Sequence, residues 1–268
     1  MRKALAAAAL LAAVSPALAQ SAGAPDARLT RPGWEIGAQV SSYHYEEPDF
    51  AKLTGDRAGI TGAYTYADET HLFSRLEGRV SYGRLKYEGS GTMDNVPDWI
   101  AELRLLAGKD FLAGESLALS PYLGFGYRFL YDDLRGYSDT GAAGYRRYSN
   151  YLYVPVGLTL RFSAGSSWVI APNVEYDYFV HGTQITKLTD TGIAGVQDVT
   201  NEQTQGYGYR GYLMFENGHW AFGPWLTYWK IKSSDSACAV PLAAGGCLTG
   251  FEPSNWTREW GVDFRYRF

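Results

Sequence analysis

The feature that most constrains this chain is an alternation of apolar and polar residues with a period of two, repeated along its length. Between Leu152 and Phe162, the residues Leu152, Val154, Val156, Leu158, Leu160 and Phe162 fall on one side of an extended segment, and Tyr153, Pro155, Gly157, Thr159 and Arg161 on the other. Successive side chains of a β-strand point to opposite faces, so this is a strand with one apolar face. The pattern returns as Trp99, Ala101, Leu103, Leu105 and Ala107 against Glu102, Arg104, Leu106 and Gly108. It closes the chain as Trp260, Val262, Phe264, Tyr266 and Phe268 against Glu259, Gly261, Asp263, Arg265 and Arg267.

Ten such segments can be drawn, at 34–45, 57–66, 72–87, 99–110, 119–131, 148–162, 168–181, 206–217, 220–233 and 256–268. Their connections alternate in length. Short ones run over 67–71, 111–116, 163–167 and 218–219; long ones over 46–56, 88–98, 132–147, 182–205 and 234–255. A membrane barrel places tight turns at one rim and long loops at the other. A water-soluble sandwich has no need of that alternation and would turn its charged face outward. In a bilayer the assignment inverts, and Trp34, Trp99, Trp168, Trp220 and Phe268 stand on the apolar face near strand ends, where aromatic belts meet the headgroups.

The expected fold class is therefore all-β, a closed antiparallel transmembrane β-barrel of ten strands over residues 34–268, located in the bacterial outer membrane. Both termini fall on the short-turn, periplasmic side, which requires an even strand count. The 21 Tyr, 8 Trp, 12 Phe and 31 Gly suit aromatic belts and twisted strands. Pro155 lies mid-strand without a ladder donor and is expected to mark a bulge.

Arg2 and Lys3, the apolar run Ala4–Val14 and the small-residue site ending in Ala17-Leu18-Ala19 form a secretory signal peptide, residues 1–19. Residues 20–33 then read as a flexible leader. Removing Arg2 and Lys3 changes 24 basic against 28 acidic residues to 22 against 28, a balance that points away from nucleic acid.

Export exposes Cys238 and Cys247, both in the last long connection, to oxidation, and a disulfide between them is expected. The inward face gathers Arg75, Glu77, Arg79, Glu102, Arg104, Arg128, Arg161, Glu175, Asp177, Arg210, Glu216, Glu259, Asp263, Arg265 and Arg267. Both signs are present. One reading is an ion-paired lumen that is mostly occluded, in a monomeric barrel with a structural or surface ligand-interaction role; the alternative is a narrow selective pore. In the third long connection, Arg135, Arg146 and Arg147 amid Tyr137, Tyr145 and Tyr148 are candidates to contact lipopolysaccharide phosphates, against the plainer reading of a solvated loop. No residue set suggests a cofactor or a metal.

The ending Phe264-x-Tyr266-x-Phe268 resembles the C-terminal strand of bacterial outer-membrane barrels, which implies recognition by the barrel assembly machinery. The stretches Gly89–Trp99, Pro121–Arg128 and Ser149–Gly157 are similar to those of a group of outer-membrane β-barrel proteins with no assigned activity, so that resemblance implies fold and location alone. Size and strand count resemble the omptins, outer-membrane proteases whose site sets a close aspartate pair against Asp-x-His. The corresponding candidates are Asp94 with Asp98, and Asp177 with His181. Asp177 and His181 are four residues apart, about 13 Å along a strand, too far for the carboxylate to orient the imidazole. The His-x-Ser-Asn run of the lipid A deacylase barrels is absent. A surface hydrolase is thus the second alternative, and the reading is non-enzymatic.

Overall fold

A computed structural model describes residues 26–165, 167–243 and 245–268, so the expected signal peptide and the start of the leader lie outside the described residues. The strands are β1 (Gly33–Glu47), β2 (Ala51–Ala67), β3 (Leu72–Gly89), β4 (Gly91–Lys109), β5 (Phe111–Ala113), β6 (Leu117–Tyr137), β7 (Ala143–Ala164), β8 (Trp168–Thr186), β9 (Val199–Gln203), β10 (Gly206–Asn217), β11 (Trp220–Ile231), β12 (Ser236–Pro241), β13 (Cys247–Phe251) and β14 (Asn255–Arg267). Ten of them close a ring in the order β1-β2-β3-β4-β6-β7-β8-β10-β11-β14, each antiparallel to its neighbours. The last strand returns to the first, from Glu35 opposite Arg267 to Glu46 opposite Trp256. This is the ten-stranded closed barrel expected from the pattern, with each wall strand paired to a neighbour on both sides, the arrangement that hydrocarbon favours.

The outer surface explains why the apolar face points away from the protein. Ile36, Ile60, Leu103, Phe125, Val174 and Val262 are each more than half exposed. Aromatic residues bound this band. Trp34, Trp168, Trp220 and Phe268 stand at the end that carries the termini, and Trp99, Tyr127, Tyr178, Tyr209 and Trp260 at the other. On β3 the band runs from Leu72 to Tyr82, ~33 Å along the strand and ~25 Å along the axis at the usual tilt. Beyond Tyr82 the outward positions become Arg84, Lys86 and Glu88, and Lys52 and Lys86 pair with Glu88 at 2.6 and 3.0 Å. The wall has left the apolar zone there.

That change of face corrects the expected loop pattern. Three of the five long connections are mostly strand: β1–β2 turns over residues 48–50, β3–β4 over Ser90 alone, and β6–β7 over 138–142. The barrel wall itself rises above the apolar band as a crown. Only the β8–β10 and β11–β14 connections are long, and they carry the 3₁₀ turn Leu188–Thr191, β9 beside β8, and the β12–β13 hairpin. The short connections all lie at the opposite, terminus-bearing end.

Pro155 is also corrected. The ladder to β6 lapses opposite it, between Leu123↔Val156 and Gly126↔Tyr153, but the register is unchanged. The bulge lies on β8 instead, where Leu152↔His181 is followed by Tyr153↔Phe179. Val180 is the extra residue, so His181 shares the outward face of Leu152.

The leader is not free over its described part. Residues 26–32 cross the barrel opening as a strap. The Arg28 guanidinium donates to the Gly114 carbonyl at 2.8 Å, Thr30 N and Oγ1 donate to Asp110 at 2.6 and 2.9 Å, and Arg31 donates to the Gly218 carbonyl at 2.7 Å. Gly114 and Gly218 belong to turns far apart on the ring, so the strap spans the mouth. The described part of the leader expected over 20–33 is thus bonded to the barrel at Arg28, Thr30 and Arg31.

Candidate functional site: the lumen and the crown cavity

Inward positions of adjacent strands place opposite charges in register, with Glu77 opposite Arg104 and Arg79 opposite Glu102 on β3 and β4. The long side chains then reach further than the ladder. Arg210 on β10 meets Glu102 on β4 across the lumen, with Nη1 at 3.0 Å from Oε2, and its Nε donates to Asp177 at 2.8 Å. Arg104 donates to Glu77 at 2.7 Å and, across the lumen, to Glu175 on β8. Arg79 bridges Glu102 at 3.0 Å and Glu259 on β14 at 2.9 Å, and the Tyr153 hydroxyl donates to Glu102 at 2.6 Å. Gly126 leaves room for this tyrosine, because a β-carbon at that position would stand far inside contact distance of its Cζ. The structure thus joins Glu77, Arg79, Glu102, Arg104, Glu175, Asp177 and Arg210 in one buried layer.

The remaining predicted charges sit around it. Towards the termini Arg75 pairs with Glu35 at 2.5 Å and Glu77 at 2.8 Å, Arg265 with Asp263 at 2.6 Å, and Arg267 with Glu216 at 2.7 Å. Arg128 is opposite Glu102 in register yet does not bond to it; its guanidinium lies over the Trp229 ring at 5.2 Å. Arg161 donates to the Ser120 hydroxyl at 2.8 Å.

Above the ionic layer apolar residues enter the inward face between buried polar ones such as Asp98, Asp132 and Gln184. Leu53, Leu85, Ile100, Leu130, Tyr151 and Trp229 form one buried cluster with Tyr43, Tyr45 and Phe179. Arg57, which the alternation at sequence level did not single out, is buried beside it, paired with Asp98 and stacked 3.3 Å from the Tyr43 ring centroid.

Over this cluster lies a clamp. Arg147 on β7 pairs with Glu47 on β1 at 2.6 Å and donates to Glu252 from the last connection, and the Tyr45 hydroxyl donates to Glu47 at 2.6 Å. Burial pushes the Glu252 carboxyl up to about 8, Arg147 opposing and the adjacent Glu47 carboxyl adding to the shift. The clamp floors a cavity of ≈ 350 Å³ open at the crown, walled by Tyr87, Met93, Tyr145, Leu188 and Val199. Phe50 and Phe251, both more than half exposed, meet edge-on at 6.5 Å on its rim. Cys238 and Cys247 are joined in a disulfide across β12 and β13, and Asn201 donates to the carbonyls of Asp235 and Gly250 at 3.0 and 3.2 Å, holding the hairpin beside β9.

The other sequence candidates separate. Asp177 faces the lumen and His181 the outside, Asp98 is buried on Arg57, and Asp94 is exposed next to the left-handed Asn95. None of these forms the omptin constellation. Arg135 is held by Asp133 at 2.7 Å and Arg146 by Asp190 at 2.7 Å, both on the outer surface, whereas Arg147 points inward, so the three do not make one patch. Of the tail residues, Phe264 and Phe268 lie outward, Tyr266 stacks edge-on with Trp220 at 4.7 Å, and Phe268 N donates to the Trp34 carbonyl at 2.9 Å.

The architecture defines the chain as a ten-stranded barrel of the transmembrane class. Among solved structures it is similar to the outer membrane protease OmpT from Escherichia coli, with a TM-score of 0.58 at 9% identity over 88% of this chain and 97% of that one. Alignments to Ail, the attachment invasion locus protein of Yersinia pestis (TM-score 0.34, 11% identity, 88% and 100% coverage), and to Neisserial surface protein A (TM-score 0.36, 11% identity, 88% and 97% coverage) are looser. No protein-family model matches the chain, and no curated relative does. At these identities the similarity speaks for the fold.

Proposed function

We propose that this chain is a monomeric protein of the bacterial outer membrane, with both termini in the periplasm, whose lumen is occluded and whose function is to engage a ligand in the crown cavity at the cell surface. The observation that carries this reading is the sequence of layers on one axis: side chains bonded across the lumen, an aromatic and aliphatic plug above them, and a ≈ 350 Å³ cavity above the plug. A selective pore needs a continuous polar path, and the buried Ile100, Leu130 and Trp229 among the inward residues support occlusion over such a path. An exposed aromatic rim over apolar walls and a charged floor is the composition of a ligand site. In this reading lipopolysaccharide phosphates meet Arg135 and Arg146 on the outer face, and the assembly machinery meets Phe264, Tyr266 and Phe268; the outward position of Phe264 and Phe268 supports the latter.

Purified protein in planar bilayers tests the reading. Little or no steady conductance is expected; large, stable ion-conducting steps would move the function to selective transport. Orientation is checked with a cysteine at Tyr137, 71% exposed on the crown. An impermeant maleimide should label it on intact cells, and should reach a cysteine at Glu115 only after the outer membrane is permeabilised. The reverse order would overturn the orientation.

A further inference from the structure

A second cavity, of ≈ 120 Å³, lies at the other end of the lumen behind the N-terminal strap, with Thr30 in its wall. Five arginines line it, Arg75, Arg104, Arg161, Arg265 and Arg267, against two carboxylates, Glu77 and Glu216. Four are each held by at least one carboxylate within 2.8 Å. Arg161 differs. Its one hydrogen bond among the described residues goes to the Ser120 hydroxyl, and its closest carboxylate oxygen, on Asp110, stands 3.8 Å away. Asp110 is already occupied, accepting Thr30 N, the Thr30 hydroxyl and the Ser120 hydroxyl.

A guanidinium carries five N–H donors in a fork that matches two oxygens of a carboxylate or phosphate. The Arg161 side chain is 15% exposed, so little water reaches it, and its one paired carboxylate among the described residues, on Asp110, stands beyond hydrogen-bond distance, which leaves most of the guanidinium fork without a close acceptor. Thr159, Asn173 and Tyr122 add neutral polar groups to the same wall. A small anion there would meet both the charge and the unused donors.

We propose that this cavity is a binding site for a small oxyanion, a carboxylate or a phosphate, anchored on Arg161 and covered by the strap. The site is separate from the crown cavity, and the buried layers of the lumen lie between the two. It faces the aqueous space on the side of the termini, so the ligand comes from solution rather than from lipid.

The test is thermal unfolding of the detergent-folded protein with inorganic phosphate, with acetate, or with chloride at the same ionic strength. A ligand that binds the folded state alone raises the melting temperature in a saturable way. Phosphate or acetate should do so beyond chloride, and the arm with the larger rise names the ligand chemistry. Arg161→Gln should weaken the apparent affinity about tenfold or more, the loss expected for a charge-assisted hydrogen bond. Arg161→Lys, which keeps the charge and loses the fork, should weaken it less and covers the case in which the glutamine variant does not fold. Equal melting in all three salts would overturn the proposal, and so would a rise that neither substitution weakens.

Discussion

Replacing Arg210 by methionine probes the ionic layer at its most connected point. The side chain is 1% exposed and binds Glu102 and Asp177, and it receives further support from the Tyr153 hydroxyl at 3.0 Å. Glu102 would keep Arg79 and Tyr153. Asp177 would lose its one ion-pair partner among the described residues while remaining fully buried. Removing one member of a buried pair costs about 3–5 kcal/mol, because the remaining charge stays out of water. In a water-filled channel the same change costs about 1 kcal/mol or less. The assay is denaturant unfolding of the refolded barrel in detergent or lipid vesicles, followed by tryptophan fluorescence. Arg210→Met should fall in the larger range, and adding Asp177→Asn should recover part of the loss by neutralising the stranded carboxylate. A single variant as stable as the parent would refute the reasoning and argue for a hydrated lumen.

Three further outcomes follow from the crown and the closing strand. Because the Glu252 carboxyl is raised from its ordinary value to about 8, the folded state holds a proton that the unfolded state releases between these limits; this contribution is full below about pH 4.5 and declines as pH rises towards 8. Hydrogen exchange of the β12–β13 hairpin should accelerate across that window, and Glu252→Gln should flatten the profile; an equally steep profile in the variant would contradict the assignment. Cys238→Ser should increase proteolysis within 232–254 while leaving the melting of the barrel wall nearly unchanged, since the bridge closes a short loop outside the wall; a large loss of barrel stability would contradict that division. Deleting Phe268, which ends the outward stripe and bonds to Trp34, should lower the amount of heat-modifiable barrel in the membrane, and unchanged levels would count against its assembly role.

The wall was legible in the sequence because its side chains obey a period of two against a solvent change that the residues record directly. Leu103 beside Arg104, or Phe264 beside Arg265, can face only lipid and lumen respectively. The crown was less legible for a physical reason: above the band the outer face becomes polar, so alternation of hydrophobicity fades although the strands continue. Tyr43, Tyr45 and Glu47 remain in phase with Gln39 and Ser41, and that continuing inward phase is the signal that could have found the clamp. Arg57, Asp98 and Glu252 were harder. Arg57 opens the expected strand 57–66 and Asp98 just precedes the expected strand 99–110, where the alternation has little length to assign a face, and Glu252 comes from an irregular segment whose position depends on the folded hairpin. The Val180 bulge reverses the face of His181, and no local residue pattern announces it. The strap was missed because Thr30 and Arg28 gain their partners only when distant turns come together.

Reaction of single cysteines along the inward face of β7 tests most directly whether a wet crown cavity stands above a dry lumen. Ala143 lines the crown cavity, whereas Ser149, 7% exposed and donating to Gln184 at 2.5 Å, lies below the Arg147 clamp. With the native disulfide intact, a small water-soluble methanethiosulfonate reagent should modify Ala143→Cys quickly and leave Ser149→Cys unmodified on the same timescale. Equal rates at the two positions would show a continuous water column through the barrel and would contradict the occluded lumen.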